Sequence, residues 1–134
     1  MGHPPDTTYT THTRVRYAET DASGIVYYAN YFVYFELGRL SMFRELGLPY
    51  DWRLPIRDTY CRYHASARFE DELEIRTRVL ELRGKGFKLG SEVYRAADGA
   101  EPELLVQGYT VMVTLNDDGE IAPMPEAFVQ ALAL

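Results

Sequence analysis

Cysteine is nearly absent from this chain. Cys61 is the only one, so no disulfide can close within the chain and a cysteine-based metal cluster is excluded. A single thiol fits a reducing cytoplasm. Long hydrophobic runs are missing as well: nothing approaches the roughly 20 apolar residues that span a bilayer. The first six residues, Met1-Gly2-His3-Pro4-Pro5-Asp6, lack the basic and apolar segments of a signal peptide. The expectation is a soluble, cytoplasmic protein with no membrane span. Positive charge is the scarcer sign, with 14 Lys and Arg against 20 Asp and Glu and a formal net charge of −6. A general nucleic-acid binder needs a positive surface and is excluded, whereas a local basic patch for one phosphorylated ligand is not. His3, His12 and His64 are too scattered for a metal site, and neither a P-loop nor a dinucleotide-binding glycine motif occurs. No metal and no cofactor is expected.

What is present is aromatic: eleven Tyr, six Phe and one Trp, with many between Tyr27 and Phe43. A length of 134 residues suits one domain over 1–134, with a single core. No repeat, low-complexity tract or linker divides it. Residues 1–8 read as a frayed terminus. Residues 10–17, rich in Thr, Val and Tyr, read as a strand, and 19–24 as a polar loop ending in Gly. Residues 29–46 hold no Pro and one Gly, with apolar positions at helical spacing, and Gly47 and Pro49 stop the run.

At about 100° per residue, Tyr31, Phe32, Phe35, Gly38, Met42, Phe43 and Leu46 share one sector of this helix. Val33, Leu37 and Leu40 carry the apolar surface round the other side. A helix this apolar is expected to be buried on most of its circumference, and the remaining chain supplies the cover. Residues 56–69 read as a long strand closed by a turn at Glu70-Asp71. Leu73, Ile75, Thr77 and Val79 alternate with Glu72, Glu74, Arg76 and Arg78. A strand over 86–95 ends at the Asp98-Gly99 turn signal, and one over 104–115, apolar on both faces, reads as central. Pro123 and Pro125 lead into a terminal helix over 126–132. Strand, loop, long helix and four further strands indicate an α+β domain with a mostly antiparallel five-stranded sheet around a long central helix.

The segment YAETDASGIVYYANY, residues 17–31, carries the chemistry. A carboxylate, Asp21, precedes an apolar helix whose first-turn amides lack intrahelical partners and carry the positive end of the helix dipole. Attack on a carbonyl needs an attacking group and donors for the developing oxyanion, and Gly24 allows close backbone approach. The segment resembles the signature of the 4-hydroxybenzoyl-CoA thioesterase family, including thioesterases of the Tol–Pal cluster. The helix FVYFELGR, residues 32–39, continues the likeness. The resemblance implies a hotdog fold and hydrolysis of a small-to-medium acyl- or aroyl-CoA. It also implies Asp21 as nucleophile or general base and the Tyr28 amide as oxyanion donor. Gly24, Ile25, Asn30 and Tyr31 would then contact substrate. Many relatives have His where this chain has Tyr28.

Two other groups compete for roles. Arg39 falls inside the apolar sector, with Glu36 one turn before it, which reads as an i, i+3 ion pair partly buried at a subunit contact. Alternatively Glu36 is the working carboxylate, because a second branch of hotdog thioesterases uses a Glu on this helix. Arg83, Lys85 and Lys88 cluster at a Gly-containing turn, either as a solvated hairpin tip or as a clamp on the phosphates of coenzyme A. Arg83 and Lys85 match the family's basic turn. Cys61 and His64, three apart on one strand, would face opposite ways and read as packing or surface residues. A hydratase would need a catalytic His near the helix, and none lies between His12 and His64. A non-catalytic acyl-CoA-binding protein is the alternative from another class. An exposed sheet edge needs cover, and family members join sheets edge to edge, so a homodimer or tetramer with sites at the interface is expected.

Overall fold

Alternation of residue type fixes which way the longest strand faces. The computed structural model describes residues 6–134, so the expected fraying over 1–5 lies outside the described residues. The strands are β1 (Tyr9–Arg14), β2 (Ile56–Tyr63), β3 (Glu72–Arg83), β4 (Gly86–Arg95) and β5 (Glu103–Val113), with helices α1 (Asn30–Leu46) and α2 (Glu126–Leu132) and a 3-10 turn over Tyr17–Glu19. In β3 the side chains of Leu73, Ile75, Thr77 and Val79 are buried while Arg78 is exposed and Glu74 and Arg76 are half-buried. This is the period-2 pattern that sends one set of residues to a core and the other outward. The five strands form one sheet in the order β1-β3-β4-β5-β2, antiparallel throughout. With the long helix across one face, this is the hotdog arrangement. The interior position read for the fifth strand holds, with β5 hydrogen-bonded on both sides, although β4 is the middle strand.

Helix α1 lies against β1, β3 and β4. Tyr31, Tyr34, Phe35, Gly38, Arg39, Met42 and Phe43 are its buried residues. The expectation of burial on most of the circumference is too strong for one chain. Val33 is 43% exposed, Glu36, Arg44 and Glu45 are exposed, and Phe32, Leu37 and Leu40 are half-buried. One sheet covers one side of a helix and no more. The helix ends at Gly47, whose φ of 70° is left-handed, a geometry that Gly adopts without a Cβ penalty.

Two apolar clusters fill the space between helix and sheet. One gathers Tyr31, Tyr34 and Phe35 with Leu73, Ile75 and Val93; the other gathers Met42 and Phe43 with Phe87, Met112 and Phe128. Between them runs a less apolar rung, Thr77–Ser91–Gly108–Cys61, paired across four strands. The helix comes closest to the sheet here. A Cβ on Gly38 would lie 2.3 Å from Thr77 Oγ1 and 2.9 Å from Ile75 Cγ2, so only glycine fits.

The strand expected over 56–69 stops at Tyr63. The amides of His64 and Ala65 both donate to Leu105 O, at 2.8 and 3.1 Å, and the chain turns out of the ladder. Residues 67 and 68 pair instead with the loop before α1, through Val26 N to Ala67 O at 2.9 Å and an Ile25–Arg68 bridge. The Arg95 guanidinium holds this departing segment by donating to Ser66 O at 2.9 Å. This detour brings the end of β2 to Asp21.

Candidate active site

The loop after the 3-10 turn is closed by its own backbone. Asp21 N–H donates to Ile25 O at 2.8 Å, and Gly24 N–H donates back to Asp21 O at 3.0 Å. Gly24 carries the positive φ of 82° that this tight return requires, a region a Cβ disfavours. Ser23 N–H donates to Asp21 Oδ1 at 2.8 Å. That bond orients the carboxylate and leaves Oδ2 without a hydrogen-bond donor among the described residues. Asp21 is half-buried.

The next turn leads into α1. Tyr27 N–H donates to Glu19 O at 2.9 Å, and Tyr27 O accepts from Asn30 N–H at 2.8 Å. Because the peptide is planar and trans, a Tyr27 carbonyl turned toward Asn30 sends the Tyr28 N–H the opposite way. No acceptor meets that N–H among the described residues. It is an orphan donor at the positive end of a 17-residue helix, the arrangement that favours developing negative charge.

Asp21 and Tyr28 share a cleft of about 430 Å³ with Ile25, Val26, Tyr31, Tyr63, His64, Ala65 and Ser66. Tyr63 Oη donates to Tyr28 O at 2.9 Å, tying β2 to the loop. Burial first, and then the neighbouring Cys61, push the Tyr63 phenol up to about 12, so it remains a hydrogen-bond donor at neutral pH. Tyr31 Oη accepts from Ala67 N–H at 3.0 Å. The side chain of Asn30 reaches back, its amide donating to Glu19 O at 2.9 Å. Of the residues singled out in the sequence, Asp21, Ile25, Tyr28 and Tyr31 line the cleft. Gly24 shapes the turn, and Asn30 braces the loop.

Glu19, Tyr34, Tyr63 and His64 escape a reading by sequence alone. Glu19 is 8% exposed, yet its carboxylate is fully engaged. It accepts from Arg16 N–H at 2.9 Å, from the Arg16 guanidinium at 2.9 and 2.6 Å, and from Tyr34 Oη at 2.9 Å. Burial alone would raise its pKa, but the bonds from Arg16 and Tyr34 outweigh burial and hold it below the usual carboxylate range. Tyr34 is pushed upward, by burial first and then by this carboxylate. The signal available in sequence was the pairing of a basic and an acidic residue three apart, Arg16 and Glu19, just before the Asp21 motif. On a regular strand, a spacing of three would put His64 and Cys61 on opposite faces. The shared acceptor at Leu105 breaks that regularity and turns His64 to the cleft.

The Glu36–Arg39 ion pair does not form. Glu36 is exposed, whereas Arg39 is 2% exposed and donates to Tyr50 Oη at 3.1 Å and Thr110 Oγ1 at 3.3 Å. The side chain of Arg39 runs under the helix to β5, away from its neighbour one turn back. The basic turn also divides. Arg83 and Lys85 join Arg57, Val111, Val113 and Ile121 around a cleft of about 220 Å³. Lys88 instead projects from the sheet face remote from α1, with its ammonium 4.2 Å from the centroid of Tyr109.

Residues 15–132 match the thioesterase-like superfamily. The chain belongs to that superfamily. Acyl-CoA thioester hydrolase YbgC of Escherichia coli O6:H1 is 32% identical over 101 residues, covering 69% of this chain and 75% of that protein. A hypothetical protein from Thermus thermophilus superposes with a TM-score of 0.81 at 34% identity, over 92% of this chain and 96% of the other. A 4-hydroxybenzoyl CoA thioesterase carrying an Asp→Asn exchange, complexed with 4-hydroxybenzoyl CoA, superposes with a TM-score of 0.83 at 25% identity over 93% and 98%. In this thioesterase-like protein the free carboxylate oxygen, the orphan amide and the aromatic cleft form one unit at the head of α1. It sets a carboxylate oxygen and an unpaired N–H in the same cleft.

Proposed function

We propose that this thioesterase-like protein hydrolyses the thioester of a small-to-medium acyl- or aroyl-CoA, releasing the free acid and coenzyme A. The observation that carries the reading is the cleft holding both Asp21 and the unpaired Tyr28 N–H. The acyl carbonyl would accept from that N–H, so charge developing on oxygen meets the helix dipole. Asp21 then either attacks the carbonyl carbon, forming an anhydride that water opens, or removes a proton from a water that attacks. Both routes form a carbon–oxygen bond and break the carbon–sulfur bond, and the CoA thiolate leaves with a proton from solvent. Tyr28, Tyr31 and Tyr63 give the cleft apolar walls with polar edges, which suits an aromatic or short acyl group.

Arg83 and Lys85 serve as the phosphate clamp in this proposal, and one substrate would then span two chains. Asp21 lies at the Glu72 end of β3 and the basic turn at its Arg83 end. Twelve residues of strand separate them by roughly 35 Å, longer than the pantetheine arm. The β2 edge is open, with Ile56 48%, Tyr60 45% and Tyr63 45% exposed. Antiparallel pairing of two such edges would bring the basic end of one chain to the Asp21 end of the other. A homodimer with interfacial sites, in a cytoplasmic setting and able to pair into a tetramer, is therefore part of the proposal. Among the described residues, no helix is long and apolar enough to cross a membrane.

Incubating the protein with acetyl-, hexanoyl- and 4-hydroxybenzoyl-CoA and following free thiol with a thiol-reactive dye tests this. Catalytic thiol release from at least one supports it. Tight binding of all three without thiol release would instead favour a non-catalytic acyl-CoA-binding protein.

A further inference from the structure

Glu19 does not line the cleft, yet six hydrogen bonds converge on it, four on its carboxylate and two on its carbonyl. A buried carboxylate is costly unless all its oxygens are satisfied, and here they are, by groups from separate parts of the chain. Arg16 precedes the 3-10 turn, and Tyr34 stands on the second turn of α1. The carbonyl of the same residue takes Tyr27 N–H and the Asn30 side chain. Glu19 therefore fixes three things at once: the strand exit, the helix, and the pair Tyr27 and Asn30, whose mutual bond from Asn30 N–H to Tyr27 O turns the Tyr28 N–H the other way. Asp21 follows two residues later, and Thr20, between them, is extended (φ −94°, ψ 158°) and bridged to Val26. Little freedom remains between the Glu19 anchor and the Asp21 carboxylate.

We infer that Glu19 is a positioning residue for the reaction, holding the carboxylate of Asp21 and the amide of Tyr28 in register across the cleft. This rests on the roles proposed above for those two groups. The ring Glu19–Tyr27–Asn30 sets the direction of the amide, and the Arg16–Glu19–Tyr34 chain locks that ring to the helix. Misplacement of reacting groups by even an ångström slows an oriented reaction by orders of magnitude, so loosening Glu19 reduces turnover more than binding.

The experiment uses the full chain with Glu19→Gln, Glu19→Ala and Asp21→Asn. It follows the most rapidly hydrolysed of the three acyl-CoA probes, together with amide hydrogen exchange by NMR. Glu19→Ala is expected to lose roughly tenfold or more in kcat with KM changed less than about twofold. The Tyr27 amide should exchange at least about tenfold faster, while the buried β4 amides of Leu89 and Val93 keep their protection. Glu19→Gln, which still accepts from Tyr34 but loses the charge, should fall between Glu19→Ala and the parent, and it carries the test if Glu19→Ala does not fold. A variant that melts lower but retains parent kcat and parent Tyr27 exchange overturns the inference and leaves Glu19 a purely structural residue. Parent turnover in Asp21→Asn, with slow Glu19 variants, would instead overturn the role of Asp21 and confine the positioning to the Tyr28 amide.

Discussion

Gly38 sits where α1 meets the sheet, and replacing it by Ala tests the packing on which the site depends. Helix propensity alone favours Ala by about 1 kcal/mol. Against this, the new methyl would stand 2.3 Å from Thr77 Oγ1 and 2.9 Å from Ile75 Cγ2, inside contact distance for both. Rotating Thr77 would not relieve both contacts, because Ile75 Cγ2 crowds the new methyl independently. Overpacking of this kind typically costs about 1–3 kcal/mol, and two simultaneous clashes belong at the upper end, so the net loss should be about 1–2 kcal/mol. With an unfolding entropy near 2.1 cal/mol/K per residue over 134 residues, this lowers Tm by roughly 4–7 °C. Thr77→Ala alone should be close to neutral. It sacrifices a buried methyl worth about 0.8 kcal/mol, but removes a buried hydroxyl that has no hydrogen-bond partner. Combined, the two substitutions should be more stable than their sum by about 1–2 kcal/mol, read as a double-mutant cycle from urea melts at fixed protein concentration. A more stable Gly38→Ala, or strict additivity with Thr77→Ala, would refute the close approach.

Three further outcomes follow from the geometry. Arg39 is buried against two neutral oxygens, and no carboxylate pairs with it among the described residues. Arg39→Met should therefore be within about 1 kcal/mol of the parent or more stable, whereas Tyr50→Phe, which leaves the guanidinium Thr110 alone as partner, should cost about 1–3 kcal/mol in the same melts. Arg83→Ala and Lys85→Ala, combined, should raise KM for the acyl-CoA about three- to tenfold at low ionic strength with kcat unchanged. The gap should narrow as salt is added, because exposed charges are screened. Glu19 has a folded pKa below its ordinary 4.5, so its contribution is present above that value and is lost as pH falls through the folded one. The Tm advantage of the parent over Glu19→Gln should therefore be full near neutrality and shrink below about pH 4.5, as thermal scans across pH would show.

Legibility in the sequence divides along local and non-local lines. The bounds of β4 and α2 could be read residue by residue, because turns and alternation mark them locally. The strand from Ile56 could not be ended correctly at Tyr63, because what ends it is a carbonyl, Leu105 O, about forty residues away. The Asp21–Gly24–Tyr28 unit was legible as a motif, since its spacing is set by one turn and one helix start. Glu19 was not, because its pairing with Arg16 reads in sequence as an ordinary local ion pair, and only folding adds Tyr34, the Tyr27 N–H and the Asn30 side chain. Likewise the neighbours Glu36 and Arg39 suggest a pair by spacing, but Tyr50 and Thr110 draw the guanidinium elsewhere. The open flank of α1 and the exposed β2 edge have a shared cause in the proposed dimer: the second chain completes what one sheet leaves uncovered.

In the proposed reaction Asp21, not Glu36, drives thioester cleavage. The most direct measurement compares thiol release by Asp21→Asn and Glu36→Gln on the acyl-CoA that the parent hydrolyses fastest, with binding followed separately by calorimetry. Asp21→Asn is expected to bind the acyl-CoA but to lose at least about a thousandfold in kcat, while Glu36→Gln stays within a few-fold of the parent. Near-parent turnover in Asp21→Asn together with an inactive Glu36→Gln would contradict this and move the chemistry from the loop to the helix.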